Sequence, residues 1–209
     1  MIHTIAIVGG TGPEGMALAL RFAHAGASVR IGSRSVERAK VASQRIVESA
    51  KNGSVEGYCN ADAVREAGIV VLTVPPEAQV ETLESLRPFF RPGTILVDAT
   101  VRLTAAENSA QTAAEHVPAN VIVASAFHTL GSELLNHLEN PVDSDVLICS
   151  DDLEATTAVA DLVRLLEGAR PVDAGGLKNS RLIENTVQLL IALNRRYKVK
   201  HAGIRITGL

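Results

Sequence analysis

Short β-branched apolar runs alternate with amphipathic stretches along the first half of the chain. The run at 69–74 is continuous and apolar, as buried parallel strands are. Because parallel strands are joined by crossover helices, the alternation predicts an α/β fold with a doubly wound, mainly parallel sheet. Strands are predicted at 4–8, 28–31, 55–58, 69–74 and 94–98, and helices at 16–25, 36–50, 60–67 and 77–89.

The pattern loosens beyond residue 98 and predicts a small C-terminal α/β extension. Strands are predicted at 121–125 and 146–149, and helices at 109–115, 132–138, 153–166 and 179–198. The last helix carries a wide apolar stripe, which is typical of either a core face or a dimer face. We expect a homodimer through this stripe, which comprises Leu182, Ile183, Thr186, Leu189, Leu190 and Leu193.

A glycine-rich segment joins the first strand to the first helix. Gly10, Gly12 and Gly15 form the G-x-G-x-x-G pattern, which indicates a Rossmann-type dinucleotide site when it lies between a strand and a helix. Gly10 permits the tight turn, Gly12 lets a pyrophosphate approach the backbone, and Gly15 lets the helix pack closely. The alternative is a glycine-rich turn without a ligand. We predict a nucleotide-binding domain at 1–125 and a C-terminal module at 126–209.

The end of the second predicted strand favours NADP over NAD. NAD-binding chains usually carry an acid there, for the ribose 2′-hydroxyl. This chain has Ser33 and Arg34 instead, with Arg38 one helical turn later and Glu37 as the first acid. A hydroxyl and guanidinium groups suit a 2′-phosphate. The alternative is that both arginines belong to a solvated helix start.

Composition excludes several classes of protein. The 209-residue chain has a net charge of −3, no tryptophan and 3% aromatic residues, which argues against nucleic-acid binding. No secretion segment precedes the first strand, and no apolar run is long enough to span a membrane. Cys59 and Cys149 are isolated and are predicted to be reduced core thiols. We therefore expect a cytoplasmic protein.

Few residues suit acid–base or nucleophilic chemistry. The six histidines lack metal-ligand spacing and no nucleophile motif occurs, so neither a metal nor a catalytic side chain is predicted. The segment 73–75 ends a strand and is predicted to border the nicotinamide, unless proline merely shapes that end. His128 follows a strand and is either a second-ligand contact or a satisfied loop residue. Asp151 and Asp152 are predicted to cap a helix rather than to act in catalysis.

Segments along the whole chain resemble NADPH-dependent F420 reductases. They are 9–15 (GGTGPEG), 32–34 (GSR), 125–128 (SAFH), 150–152 (SDD), 170–175 (RPVDAG), 193–198 (LNRRYK) and 201–209 (HAGIRITGL). The resemblance implies reversible hydride transfer between NADP(H) and the deazaflavin coenzyme F420, usually in a homodimer. The stretch 98–109 is shorter than the Pro/Gly-rich loop expected of that family.

The resemblance also implies roles for individual residues, all of them expectations at this stage. The residues at 126–209 would complete the deazaflavin pocket and the dimer face, with His128 in that pocket. The pyrophosphate would be held by Thr11, Gly12, Pro13 and Glu14, and the 2′-phosphate by Ser33, Arg34 and Arg38. The nicotinamide side would be bordered by Thr73, Val74, Pro75, Pro76 and Val80. Ala202 would lie near both cofactors.

The absence of an acid–base pair agrees with hydride transfer between two cofactors, because the cofactors supply the chemistry and the protein supplies orientation. Two other functions stay open from the residues. One is NADP-dependent reduction of an imine, ketone or flavin, with His128 or Lys178 as proton donor. The other is an NADPH-sensing module without turnover.

Overall fold

A computed structural model describes residues 4–50, 52–103 and 108–209. Its strands are β1 (Ile5–Val8), β2 (Ser28–Ser33), β3 (Ser54–Cys59), β4 (Ile69–Leu72), β5 (Ile95–Asp98), β6 (Ile122–Ser125), β7 (Asp145–Ser150) and β8 (Arg170–Asp173). Its α-helices are α1 (Pro13–His24), α2 (Val36–Ala50), α3 (Asn60–Arg65), α4 (Gln79–Leu86), α5 (Ser109–His116), α6 (Ser132–Asn136), α7 (Leu153–Val163) and α8 (Ser180–Tyr197). Within the described ranges, no helix is both long and apolar enough to cross a bilayer.

The strands form one sheet in the order β3-β2-β1-β4-β5-β6-β7-β8. Every neighbouring pair is parallel except β6 and β7. The chain runs outward from β1 to β3 and returns to place β4 beside β1, which creates a switch point between β1 and β4. Ligands bind at the carboxyl ends of the strands beside such a point. The predicted doubly wound fold is confirmed.

The C-terminal extension continues this sheet beyond β6. Only two residue pairs join β6 to β7, Ala124 with Ser150 and Ser125 with Cys149. Because the two strands are antiparallel, β7 begins at Asp145 beyond the carboxyl end of β6. The start of β7 therefore lies at the same edge of the sheet as the switch point. The division of the chain at residue 125 stays a prediction.

Apolar side chains cover both faces of the sheet. Alternate residues of β1 enter different clusters: Ile5 and Ile7 pack on one face, and Ala6 and Val8 on the other. Burial of both faces is what a continuous apolar strand predicts.

Buried Arg21 ties α1 to the end of α6. Its guanidinium donates to the carbonyl oxygens of Leu134, Leu135, His137 and Asn140 at 2.7–3.1 Å. The carbonyls at the end of this short helix thus have a cationic partner, which compensates for the missing intrahelical bonds.

Buried Asp145 anchors the end of the chain. Its carboxylate accepts from Arg170 at 2.7 Å and Arg205 at 3.0 Å, and from the backbone N–H of Ile206 at 2.7 Å. The Arg170 guanidinium makes the largest contribution to holding the pKa of this carboxyl well below its usual range. The final residues therefore run along the start of β7.

Two predicted details are wrong and two are confirmed. The helix predicted at 77–89 is α4 with 3₁₀ turns at Pro76–Ala78 and Arg87–Phe89, because a proline at 88 cannot continue an α-helix. Helix α3 is capped by Cys59, whose sulfur accepts from the N–H of Asp62, and this half-buried thiol is not a core residue. Cys149 is buried, as predicted. Asp152 caps α7 as predicted, accepting from Ala155 at 2.8 Å.

The apolar stripe of α8 is partly buried and partly exposed to solvent. Ile183 and Leu190 are buried in the protein, whereas the side chains of Leu182 and Leu189 are 66% and 56% exposed. The stripe is therefore partly core and partly an outward apolar face.

Candidate active site

A cleft of about 810 Å³ runs along the carboxyl edge of the sheet beside the switch point. It collects eleven of the fifteen residues predicted for the site. Gly10, Pro76, Val80 and Ala202 are not among its lining residues. Those that line it are Thr11, Gly12, Pro13, Glu14, Ser33, Arg34, Arg38, Thr73, Val74, Pro75 and His128.

The three motif glycines have different structural roles. A Cβ on Gly10 would lie 2.7 Å from the carbonyl oxygen of Ile7, and one on Gly15 would lie 2.7 Å from both Gly10 Cα and Thr73 Oγ1. These two glycines are therefore required for close packing of the turn and helix. A Cβ on Gly12 would meet only the Gly9 carbonyl oxygen, at 3.3 Å. Gly12 instead leaves its side of the cleft open.

The N-terminus of α1 has no side-chain cap. Gly12 is its N-cap and provides no side chain to bond the first-turn amides, and Pro13 follows at the first helical position. The first intrahelical bond runs from Met16 N–H to the Gly12 carbonyl. The preceding amides lie at the positive end of the helix dipole, where phosphates bind.

Glu14 places a carboxyl group in this first turn. Its Oε1 is buried and has no hydrogen-bond partner among the described residues. Burial raises the pKa of Glu14 to about 8, so the side chain is mostly protonated at neutral pH. A protonated carboxyl donates a hydrogen bond to a phosphate or ribose oxygen instead of repelling an anion.

The 2′-phosphate residues predicted from sequence lie together at the end of β2. Buried Ser33 accepts from the N–H of Ser35 at 3.3 Å, and the Ser35 hydroxyl caps α2 by accepting from Arg38 N–H at 3.3 Å. Arg34 and Arg38 are exposed, and no carboxylate in the described part of the chain lies within 4.0 Å of their guanidinium groups. Two unneutralised cations thus face the cleft.

Asn60 is a cleft residue that the sequence did not reveal as one. It is the first residue of α3 and lines the cleft. Its buried Oδ1 has no partner within the described ranges and lies 2.8 Å from where a Cβ of Gly32 would be. Its position directly after β3 was the available signal, since strand ends converge on this edge.

His128 lies at the opposite end of the cleft, after β6. Neither ring nitrogen has a hydrogen-bond partner in the residues described. Burial lowers the pKa of His128 to about 4, so the imidazole is neutral at pH 7. The nearby Thr100 backbone opposes this lowering but does not meet hydrogen-bond geometry with the ring. The preceding Phe127 has a φ of 72°, a strained value for an aromatic residue, and packs edge-to-face on Phe22 with the ring centroids 6.0 Å apart. Such strain is commonly kept where it orients a functional side chain.

Comparisons with known proteins fit this arrangement. The model of the family "NADP oxidoreductase coenzyme F420-dependent" matches residues 4–102. F420-dependent NADP reductases from Methanothermobacter thermautotrophicus and Methanocaldococcus jannaschii are 42% and 38% identical, covering 100% and 98% of this chain and 97% and 98% of theirs. The chain belongs to the F420-dependent NADP reductase family.

Solved structures support the fold. A structure from Arthrobacter sp. FB24, assigned provisionally as an F420-dependent NADP reductase, has a TM-score of 0.81 at 21% identity, with 97% of this chain and 98% of that chain covered. An imine reductase from Pseudomonas sp. has a TM-score of 0.66 at 16% identity, covering 95% of this chain and 64% of that one. At such identities the likeness shows the architecture alone.

The alignment with the Methanothermobacter thermautotrophicus relative is longer than this chain. It runs over 228 positions, more than the 209 residues of this chain, so the relative has residues that this chain lacks. Within the short stretch noted in the sequence, residues 104–107 lie outside the described residues.

In this protein, a buried polar network supports the segment that follows β5. The carboxylate of Glu184, on α8, accepts from Arg102 N–H and Ser109 N–H, each at 2.8 Å, and so joins both ends of the short segment. The Gln79 amide donates to Asp98 at 3.0 Å and to the Ser109 hydroxyl at 2.7 Å. These side chains come from separate elements and show no spacing motif, so sequence reasoning missed them.

The fully buried Asp98 should make stability depend on pH. Burial raises its pKa to about 7, and Oδ2 has no partner among the described residues. A raised carboxyl pKa means that the unfolded chain loses this proton first, so the folded state is progressively destabilised between the unfolded pKa and about 7.

Asp98→Asn should remove that dependence. As pH rises from about 5 to 7, the wild type should lose free energy of unfolding relative to the variant. The loss should be at most about 1.4 kcal/mol per pH unit. Urea unfolding at a series of pH values measures the difference, and taking it cancels the other titrating groups. Parallel pH profiles would show that Asp98 titrates normally.

The position of Arg34 predicts cofactor discrimination. Arg34→Ala should weaken NADPH binding by roughly 1.5–3 kcal/mol, the scale of a charge-assisted hydrogen bond, and leave NADH binding almost unchanged. Titration calorimetry with both nucleotides provides the measurement. The matched control is Arg164→Ala, which removes an exposed guanidinium beyond α7. Equal losses for both nucleotides would place the 2′-phosphate elsewhere.

Proposed function

We propose that this protein catalyses reversible hydride transfer between NADP(H) and coenzyme F420. Full-length identity of 38–42% to F420-dependent NADP reductases carries the proposal. The cleft supports it independently, since one end presents two unneutralised arginines and the other a buried histidine without partners.

The residues present suit an NADP nucleotide along the first part of the cleft. The N-terminus of α1 and the open side of Gly12 would receive the pyrophosphate. The 2′-phosphate would lie between Arg34 and Arg38, beside the buried Ser33. Thr73 is fixed by its hydroxyl donating to the Val8 carbonyl at 3.0 Å, and so forms a rigid wall on the nicotinamide side.

The deazaflavin ring would occupy the end of the cleft lined by Thr100, Val101, His128 and Leu130. The neutral imidazole of His128 can donate through one nitrogen and accept through the other, which positions a ring but does not supply an acid at neutral pH. The bound nicotinamide and deazaflavin supply the redox chemistry. The protein contributes binding, orientation and exclusion of water.

Mixing purified protein with NADPH and oxidised F420 tests the proposal. We expect loss of the deazaflavin's visible absorbance together with oxidation of an equal amount of NADPH. A reductase of another acceptor would oxidise NADPH with an imine, a ketone or a flavin and not with F420. An NADPH sensor would bind the nucleotide and turn over none of these.

We also propose that the protein is a cytoplasmic homodimer. The outward face of α8, with Leu182 and Leu189 exposed, supports the dimer, and two free cysteines suit a reducing compartment. Sedimentation should give twice the chain mass at micromolar concentration, and Leu182→Glu with Leu189→Glu should give a monomer. A monomeric wild type would contradict the assignment.

A further inference from the structure

The end of the chain carries a concentration of positive charge. Residues 185–209 contain five Lys or Arg residues and no Asp or Glu, although the whole chain has a net charge of −3. Four of the five belong to the segment 195–201, named here the basic segment, and all four are exposed: Arg195, Arg196, Lys198 and Lys200.

The basic segment ends close to the cleft, on the side of His128. After α8 the chain is held by Ala202 N–H donating to the Asn194 side chain at 3.0 Å, and it then joins the start of β7 at the carboxyl edge of the sheet. The carbonyl oxygen of Lys200 lies 3.3 Å from where a Cβ of Gly131 would be, and Gly131 directly follows the cleft residue Leu130.

Local carboxylates neutralise little of this charge. Within the described ranges, the one carboxylate that lies within 4.0 Å of any of these four cations is that of Glu133, 4.0 Å from the Lys200 ammonium. Arg205, by contrast, is held by Asp143 and Asp145 and belongs to the chain-end anchor. A flexible, multiply negative chain leaving the cleft on this side would meet unneutralised cations.

We propose that the basic segment binds the anionic chain of coenzyme F420. The inference rests on the proposed function, because the ring pocket it adjoins is the one assigned to the deazaflavin. The coenzyme extends from its ring through a ribityl phosphate to a lactyl and glutamyl chain, so each glutamate adds a carboxylate. Single exposed charge contacts contribute little, but several contacts to one tethered chain add to the affinity.

The test compares F420 with its precursor, the same deazaflavin carrying only the ribityl group. In the triple variant Arg195→Gln/Arg196→Gln/Lys198→Gln, the Kd of F420, measured by deazaflavin fluorescence in the presence of NADP⁺, should rise about tenfold. The Kd of the precursor should change less than about twofold, because it lacks the charges being bound. Added salt should weaken F420 binding to the wild type and affect the precursor little.

The control variant Arg65→Gln/Arg87→Gln/Arg91→Gln removes the same charge around the amino edge of the sheet and should leave both Kd values unchanged. The proposal fails if the triple variant binds F420 normally. It also fails if both ligands weaken equally, or if the variant becomes monomeric with F420 binding intact, since the segment would then support the ring pocket or the subunit interface. Wild-type protein that binds and reduces neither deazaflavin would instead overturn the proposed function.

Discussion

Gly12→Val is expected to lower NADPH affinity by about 100-fold or more while the protein stays folded. The backbone of Gly12 has φ −80° and ψ 165°, values that any L-residue adopts. A Cβ there meets a single atom, the Gly9 carbonyl oxygen at 3.3 Å, so the main steric conflict arises in the cleft. The branched methyl groups would occupy the space in which a pyrophosphate approaches the N-terminus of α1.

Calorimetric titration with NADPH, together with a thermal melt, separates loss of binding from loss of fold. Gly12→Ala should retain much of the affinity. Gly15→Ala should lower the melting temperature, because its Cβ would lie 2.7 Å from Gly10 Cα. Unchanged NADPH affinity in folded Gly12→Val would show that the pyrophosphate binds elsewhere.

The part of the site that depends on local sequence was predictable. The glycine turn, the serine and arginine at the end of β2 and the histidine after β6 each lie where a strand ends, and parallel strands bring their carboxyl ends to one edge. Eleven predicted residues meet in one cleft for this reason. The four exceptions are also informative. Gly10 faces the packed turn, and the contacts expected of Pro76, Val80 and Ala202 came from family resemblance rather than from strand geometry.

The part that depends on tertiary packing was not predictable. Glu184 lies more than seventy residues from both amides it accepts, and nothing in its helical context distinguishes it from a surface glutamate. The positive φ of Phe127 is likewise invisible in the sequence, because aromatic residues rarely adopt it. Burial also gives Glu14 and His128 pKa values near 8 and 4, which their residue types do not suggest.

Deuterium at C4 of NADPH, on the transferred face, is expected to appear at C5 of reduced F420 in ordinary water. The side chains at the ring end of the cleft determine how the two rings are held. His128 is neutral at pH 7, so it can position the ring by hydrogen bonding but does not supply an acid there. Because the two bound cofactors would supply the redox chemistry and the protein their orientation, direct transfer would form the new C–H bond at deazaflavin C5 with the hydride of nicotinamide C4, and one proton from solvent would balance the reaction.

Mass spectrometry and proton NMR of the reduced coenzyme measure the label. A carbon-bound deuterium does not exchange with water, so direct transfer should retain nearly all of it, and NADPH labelled on the opposite face should give unlabelled product. Release of the transferred-face label into solvent would require an exchangeable intermediate and contradict the mechanism. His128→Ala should lower the rate and raise the F420 concentration required, yet leave the label at C5, because a positioning residue alters how often the rings align and not the path of the hydride.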